Sequence, residues 1–297
     1  MTAIRSALYV PGDRPALIDK ALASDSDSVI IDLEDAVSEP AKDIARAAVS
    51  KRLADYQDGG GPQIWVRVNS GRRGIDDAAA VASPSLTGLC LAKASSPADI
   101  LAIADAAGAA RGDAKSVLQI EPLIESALGL VNLIDIAKLS VVSRIQLGEA
   151  DLCSDLGIRE DERDSGLAYA RAQTIIVSTA AALDQPMAPV NGNFHDLDAF
   201  RSETHKLAGI GFFGRVCIHP AQVAIANAEF TPTSEELETA RNLISNFDSH
   251  VSAGRGVFAT DGGRVIDEAV VRNARRLLTR ATSISARNSH AQPQATS

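Results

Sequence analysis

Ser28-Val29-Ile30-Ile31-Asp32-Leu33-Glu34-Asp35 is the stretch whose reading decides the fold. Its first half is a β-type run, apolar without alternation, and such a strand expects burial on both faces, as in a parallel sheet covered by helices. Its second half sets three acids within four residues at the carboxyl end of that strand. A solvated acidic turn is the plain reading. The end of a doubly buried strand favours a functional one, because barrel chemistry collects there.

Outward from this unit the same alternation repeats. Strands are predicted at Ile4–Val10, Ser28–Asp32, Gln63–Asn69, Thr87–Ala92, Ser116–Ile120, Arg144–Gly148, Pro186–Val190 and Arg215–Ile218. Helices are predicted at Pro15–Ser24, Pro40–Asp55, Pro97–Ala110, Ala127–Leu139, Asp164–Leu183, Asp198–Leu207 and Ala221–Ala228. Pro15, Pro40 and Pro97 fall where a helix should begin, the position that tolerates a missing N–H. Eight strand–helix units predict an α/β fold of the (β/α)8 TIM-barrel type, with a doubly wound open sheet as the alternative. The distribution of polar residues favours the barrel. Arg14, the Asp32–Asp35 acids, Arg67, Asn69, Lys93, Glu121 to Glu125, Glu149, Asp151, Asn191 and His219 all follow strand ends.

Beyond about Gln222 the rhythm changes. Thr233–Val251 reads as an amphipathic helix with Ser234 as cap, followed by a glycine-rich stretch from Gly254 to Asp267 and a last helix through about Thr282. The predicted organisation is a barrel over residues 1–228 and a small C-terminal α-helical lid or appendage over 229–282. Residues 283–297, with Ile284 as their one large apolar side chain, read as a disordered tail.

Composition narrows the classes. The 297 residues carry a formal net charge of −9, which argues against a nucleic-acid partner. The sequence has no apolar run of membrane-spanning length. Cys90, Cys153 and Cys217 form neither a paired framework nor a zinc knuckle, so a cytoplasmic, reduced setting is expected. The five histidines are scattered, which disfavours zinc.

Glu125 and Asp151 follow the fifth and sixth strands, where two carboxylates plus water and substrate oxygens would suit Mg²⁺. Equally, Glu125 could be a first-turn helix acid and Asp151 a loop cap. Alternation in Trp65-Val66-Arg67-Val68-Asn69 puts Arg67 and Asn69 on the face opposite Val66 and Val68. An inward arginine needs a carboxylate, from a ligand or from the Asp32–Asp35 acids. Arg14 and Lys20 could meet a phosphate or be surface residues. Cys153 has no neighbouring histidine in sequence and reads as an inert thiol, and His219 as a turn residue.

Taken in order, several segments resemble the citrate lyase β-subunit-like family, which includes malyl-CoA and citramalyl-CoA lyases. They are Arg5-Ser6-Ala7-Leu8-Tyr9-Val10-Pro11-Gly12, Asp32-Leu33-Glu34-Asp35-Ala36-Val37, Lys42 with Ala45-Arg46, and Arg67-Val68-Asn69. Ile124-Glu125-Ser126-Ala127, Gly148-Glu149-Ala150-Asp151-Leu152 and Gly211-Phe212-Phe213-Gly214-Arg215-Val216-Cys217-Ile218-His219-Pro220 with Gln222 complete the set. The resemblance covers about residues 4–280.

It implies Mg²⁺ (or Mn²⁺) held at Glu125 and Asp151, and Arg67 gripping the substrate's carboxylate or keto oxygen, with Glu34 and Asp35 around it. It places CoA near Arg14 and Lys20. It also implies a homotrimer or hexamer in which a C-terminal lid reaches a neighbour's site, and Gly263-Arg264-Val265-Ile266-Asp267 resembles the lid motif, making Asp267 the acid/base. The implied activity is carbon–carbon cleavage of a short β-hydroxyacyl-CoA such as malyl-, citramalyl- or citryl-CoA to a keto acid and an acyl-CoA. Alternatives are a β-subunit acting on an acyl-carrier thioester within a citrate lyase complex, a CoA-independent hydroxy-keto-acid aldolase, and a regulatory CoA-binding protein. Three positions depart from the family pattern: Ala92 before Lys93, Asn191, and Ala269 two residues after Asp267.

Overall fold

The computed structural model describes residues 3–56, 60–112, 118–254, 256–259, 263 and 265–290. The chain forms two compact units, one of residues 4–229 and one that begins at Phe230 and takes in Ala3.

The first unit opens with β1 (Ser6–Pro11), α1 (Pro15–Leu22), β2 (Ser28–Asp32), α2 (Lys42–Ala54), β3 (Gln63–Val68) and α3 (Gly71–Val81). There follow β4 (Gly88–Leu91), α4 (Pro97–Arg111), β5 (Gln119–Ile124), α5 (Ala127–Val131), α6 (Leu133–Ala137) and β6 (Gln146–Leu147). It closes with α7 (Glu149–Leu156), α8 (Arg163–Ala180), α9 (Leu197–Ile210), β7 (Arg215–Cys217) and α10 (Pro220–Glu229). Its seven strands make one parallel sheet in the order β6-β5-β4-β3-β2-β1-β7.

The seventh predicted strand, Pro186–Val190, is reduced to two bridges, Met187 to Gln146 and Ala188 to Arg215. Ala188 donates to the Gly214 carbonyl (2.8 Å) and accepts from the Val216 amide (3.0 Å). Both edges of the sheet thus meet one short segment. This is an α/β fold of the TIM-barrel type.

The continuous apolar runs divide by parity. Val29, Ile31, Val66, Val68, Leu89 and Leu91 join the helices in the outer core, whereas Ile30, Trp65 and Cys90 form a smaller inner cluster with Ala7, Met187 and Val216. Register then aligns Pro11, Asp32, Arg67, Cys90 and Glu121 as neighbours across five strands. An arginine and two acids therefore share one row with apolar residues.

Several expectations are corrected here. The fifth strand runs on to Ile124 despite Pro122, so Glu121 is a strand residue and not part of the loop. It is buried, accepting from Gln146 Nε2 (2.5 Å), with Arg144 Nη1 at 3.5 Å. Ser116 and Val117 of that predicted strand lie outside the described residues. The predicted helix Ala127–Leu139 is two short helices joined at Asn132, whose side chain donates to the Ser95 carbonyl. The α3 helix was not foreseen, because Gly71-Arg72-Arg73-Gly74-Ile75-Asp76-Asp77 offers little apolar period.

The second unit contains α11 (Ser234–Ser252), the antiparallel pair β8 (Phe258–Ala259) and β9 (Val265–Ile266), and α12 (Glu268–His290). The cap of α11 is Thr233, paired reciprocally with Glu236, and not Ser234. Phe247, Ile266 and Val271 form its core cluster. The expected disordered tail is helical as far as His290. Ile284 continues the apolar stripe from Val271 through Ala274 and is buried, which supplies the side of the helix that the tail reading lacked. Residues 291–297 lie outside the described residues, as do Arg264 and residues 260–262 of the glycine-rich stretch.

Candidate active site

The site grows from the carboxyl ends of β2, β3, β4 and β5. Asp32, the last residue of β2, is the register partner of Arg67 on β3. Its two oxygens accept from Arg67 Nε (2.7 Å) and Nη2 (2.6 Å), the bidentate fork that fixes a guanidinium plane. Asp32 also accepts from the Glu34 and Ala36 amides, tying down the acidic turn. Arg67 Nη1 lies 3.2 Å from Glu34 and 3.9 Å from Asp35, and its guanidinium sits 4.9 Å from the centre of the Tyr9 ring. Arg67 is therefore inward, as alternation requires. Asn69 is not on that face: β3 ends at Val68, and the Asn69 amide donates to the Leu33 carbonyl and to buried Asp77.

The second flank is Glu125, one residue beyond β5 and 6% exposed. It is not a first-turn helix acid, because Ser126 is the cap of α5. Its Oε2 accepts from the backbone amide of Lys93 (3.0 Å). Lys93 Nζ reaches back to Glu34 Oε1 and lies 3.5 Å from Asp35. Lys93 has φ of +53°, a left-handed conformation that a side chain adopts at a cost and that gathers at functional sites. Asp151 lies in the first turn of α7 and is exposed, while neighbouring Glu149 is buried and held by Arg171 at 2.6 and 2.8 Å.

Electrostatics bind these groups into one site. Burial lifts the Glu125 carboxyl to about 7, helped by the charges of Glu34 and Asp151 and opposed by Arg67 and Lys93. Glu34 is also raised, chiefly by burial, with Lys93 and Arg67 opposing. Asp35 moves the other way: burial is outweighed by its hydrogen bond with Glu34 and by the two cations. Glu34, Asp151, Arg67 and Lys93 thus all act on the Glu125 carboxyl.

Among the described residues no three His, Cys, Asp or Glu side chains form a complete metal cage. A divalent cation here would draw on one or two carboxylates and complete its shell with water and ligand oxygens, the habit of Mg²⁺. The donor chemistry fits: hard oxygen donors in a cluster where acids outnumber cations and one carboxyl already resists ionisation.

The remaining candidates are dispersed. Arg14 precedes α1, is two-thirds exposed and lies 3.6 Å from Asp13. Lys20 is exposed in the last turn of that helix, roughly 9 Å further along its axis. Asp267 belongs to the second unit and caps α12, its Oδ1 accepting from the Ala269 (3.0 Å) and Val270 (3.1 Å) amides. Cys153 is buried and its thiol is pushed up by that burial, the mark of an inert cysteine. His219 serves its turn, accepting from the Ala221 amide and stacking on Phe194. Lys93 was not chosen from the sequence; its position at a strand end was the available signal, but its role comes from a backbone angle and a partner 32 residues away.

Comparison with known proteins supplies the family. Residues 5–220 match the model of the HpcH/HpaI aldolase/citrate lyase family. A citramalyl-CoA lyase of Rattus norvegicus mitochondria is 30% identical, over 94% of this chain and 86% of its own. A (3S)-malyl-CoA thioesterase of Cereibacter sphaeroides is 33% identical, over 95% and 96%. Among solved structures, the CitE protein of Mycobacterium tuberculosis in complex with magnesium, acetoacetate and coenzyme A has a TM-score of 0.77 and 29% identity, covering 94% of this chain and 98% of that one. The chain therefore belongs to the HpcH/HpaI aldolase/citrate lyase family.

Proposed function

We propose that this protein is a Mg²⁺-dependent carbon–carbon lyase that cleaves a short β-hydroxyacyl-CoA into a keto acid and an acyl-CoA. The observation that carries the reading is the Glu125 carboxylate, raised by burial and by Glu34 and Asp151, beside the Asp32-anchored guanidinium of Arg67. Glu125 and Asp151 would hold the ion, which when bound supplies Lewis-acid polarisation of ligand oxygens. Arg67 offers a fixed donor edge to the keto-acid half, and Asp32 keeps that edge from rotating. The substrate's β-hydroxyl gives up its proton to a base and becomes the keto oxygen, while the electron pair of the broken carbon–carbon bond passes to the thioester α-carbon, which then takes a proton. Asp267 is our choice for that donor, supported by the lid-like sequence around it, and in condensation it would remove the same proton. Exposed Arg14 suits the phosphates of CoA, with Lys20 a more distant contributor.

A homotrimer or hexamer is part of this proposal. It is supported by exposed Leu128, Val131, Ile134, Tyr169 and Ile176 on α5, α6 and α8, apolar surface that assembly would cover. A reducing, cytoplasmic setting is likewise proposed, supported by three buried cysteines that remain unpaired. No described helix is long and apolar enough to cross a membrane.

The test is product analysis with malyl-, citramalyl- and citryl-CoA, with Mg²⁺ and with EDTA. Metal-dependent release of keto acid together with acyl-CoA is expected. Hydroxy acid with free CoA would instead identify thioester hydrolysis, and turnover only with an acyl-carrier partner would assign the chain to a citrate lyase complex.

A further inference from the structure

We infer that Lys93 and Gly148 are positioning residues that together fix the orientation of the Glu125 carboxylate. Three facts about the end of β4 carry the first half. The Ala92 amide donates to Val68 on β3 (3.2 Å), and the Ala94 amide donates to Leu123 on β5 (3.1 Å). Lys93, between them, has φ of +53° and sends its own amide to Glu125 Oε2 (3.0 Å). The neighbours hold the segment to both adjacent strands, and the left-handed residue turns one N–H out of the ladder and onto the acid. A lysine in this conformation is strained, and flanking hydrogen bonds over-determine such residues where they serve a site. Its ammonium then ties Glu34, so one residue sets the spacing of acids from the β2 and β5 ends.

Gly148 carries the second half. It caps α7 with φ of −89°, backbone that residues other than glycine adopt, so its lack of a side chain is not a matter of conformation. A Cβ there would stand 2.4 Å from Glu125 Cγ and 2.7 Å from Oε1. The glycine is thus the wall against which the acid lies, and the Lys93 amide holds the other oxygen. This inference draws on the reading above only in naming the ligand of Glu125 as a divalent ion.

The experiment is calorimetric titration of the full chain with Mn²⁺, alongside thermal melts with and without MgCl₂. Gly148→Ala should weaken Mn²⁺ binding at least about tenfold, the loss expected when a ligand's orienting partner is disturbed. Lys93→Gly keeps an amide but frees the backbone angle and removes the tie to Glu34, so it should weaken Mn²⁺ binding by at least about threefold, and wild-type affinity in that variant would overturn the role of Lys93. Wild-type affinity in Gly148→Ala, even with a lowered melting temperature, overturns the inference, because it reduces the glycine to packing. If Gly148→Ala does not fold, Gly148→Ala/Glu125→Ala decides: folding should return once the side chain met by the new methyl is gone, and persistent failure overturns the inference. Mn²⁺ binding without thioester cleavage would end the proposed activity and leave this clamp standing. Failure of the wild-type chain to bind Mn²⁺ would end the clamp.

Discussion

Two arginines of the first unit, the partly buried Arg67 and the fully buried Arg215, show how differently one side chain can be used. Arg215 on β7 is fully buried and saturated by its surroundings. Its Nε donates to the Pro189 carbonyl, its Nη1 to the Phe200 carbonyl and Thr204 Oγ1, its Nη2 to Glu203, and the guanidinium lies over the Phe200 ring. Burial would raise Glu203, but Arg215 and the Asn191 amide outweigh it and hold that carboxyl low. Most of these partners are neutral, and the charge is matched by one acid. Arg67 instead faces Asp32, Glu34 and Asp35, with Glu125 near enough to feel its charge. One cation is finished as structure, whereas the other belongs to a site with negative charge in excess. The same network answers for one departure from the family pattern: Asn191 donates to Glu203 Oε2 (2.7 Å), so its amide supports Arg215 and does not join the acids around Glu125.

Exchange of the two arginines is the sharpest way to break the comparison. Arg67→Lys keeps charge but loses the two-pronged contact, and kcat/KM for thioester cleavage should fall about 10³-fold in initial-rate assays of keto-acid release. Arg215→Met leaves the partly exposed Glu203 without its cation and the Pro189 and Phe200 carbonyls without their donor. It should cost about 1–3 kcal/mol in urea denaturation, with turnover per folded molecule retained. Turnover lost in Arg215→Met and kept in Arg67→Lys would reverse the assignment.

A second test uses pH. The Glu125 carboxyl stands above its ordinary value in the folded protein, so the folded state prefers its protonated form. Its contribution to stability is present below about pH 4.5 and is lost as pH rises through about 7, up to roughly 3 kcal/mol in all. In EDTA the melting temperature should therefore decline between pH 5 and 8. Glu125→Gln should flatten that decline, and excess Mg²⁺ should offset it by binding the ionised form. An unchanged slope in Glu125→Gln would locate the negative excess elsewhere.

The smallest stability effect is expected at Asp267, in the second unit. Asparagine caps a helix about as well as aspartate, so Asp267→Asn should melt like wild type, whereas Asp267→Ala should lose about 1 kcal/mol. If the residue also transfers the proton, both variants lose kcat by about 10²-fold in the same assay. Activity lost only in the alanine variant would make Asp267 a cap and nothing more.

Much of this was legible along the chain because its signals are local. The unbroken run Val29-Ile30-Ile31 announces a doubly covered strand, and it is one. Period-two alternation turned Arg67 inward, and strand ends marked Glu34, Glu125 and Asp151. Local signals failed where a partner lies far off in sequence. Ile284 looked like a lone apolar residue until α12 gave it a buried side, and Asn69 left Arg67's face because its amide found Asp77. Lys93 is the clearest such case, since neither its backbone angle nor its carboxylate partner is written in its neighbours.

Chain order alone determined the α/β rhythm and the end of the barrel at which the acids gather, since both follow from periodicity and strand direction. Tertiary structure decided which charges are finished and which remain in excess. Pairing depends on register between strands and on close approaches such as Gly148 to Glu125, quantities set by packing across dozens of residues rather than by any one segment.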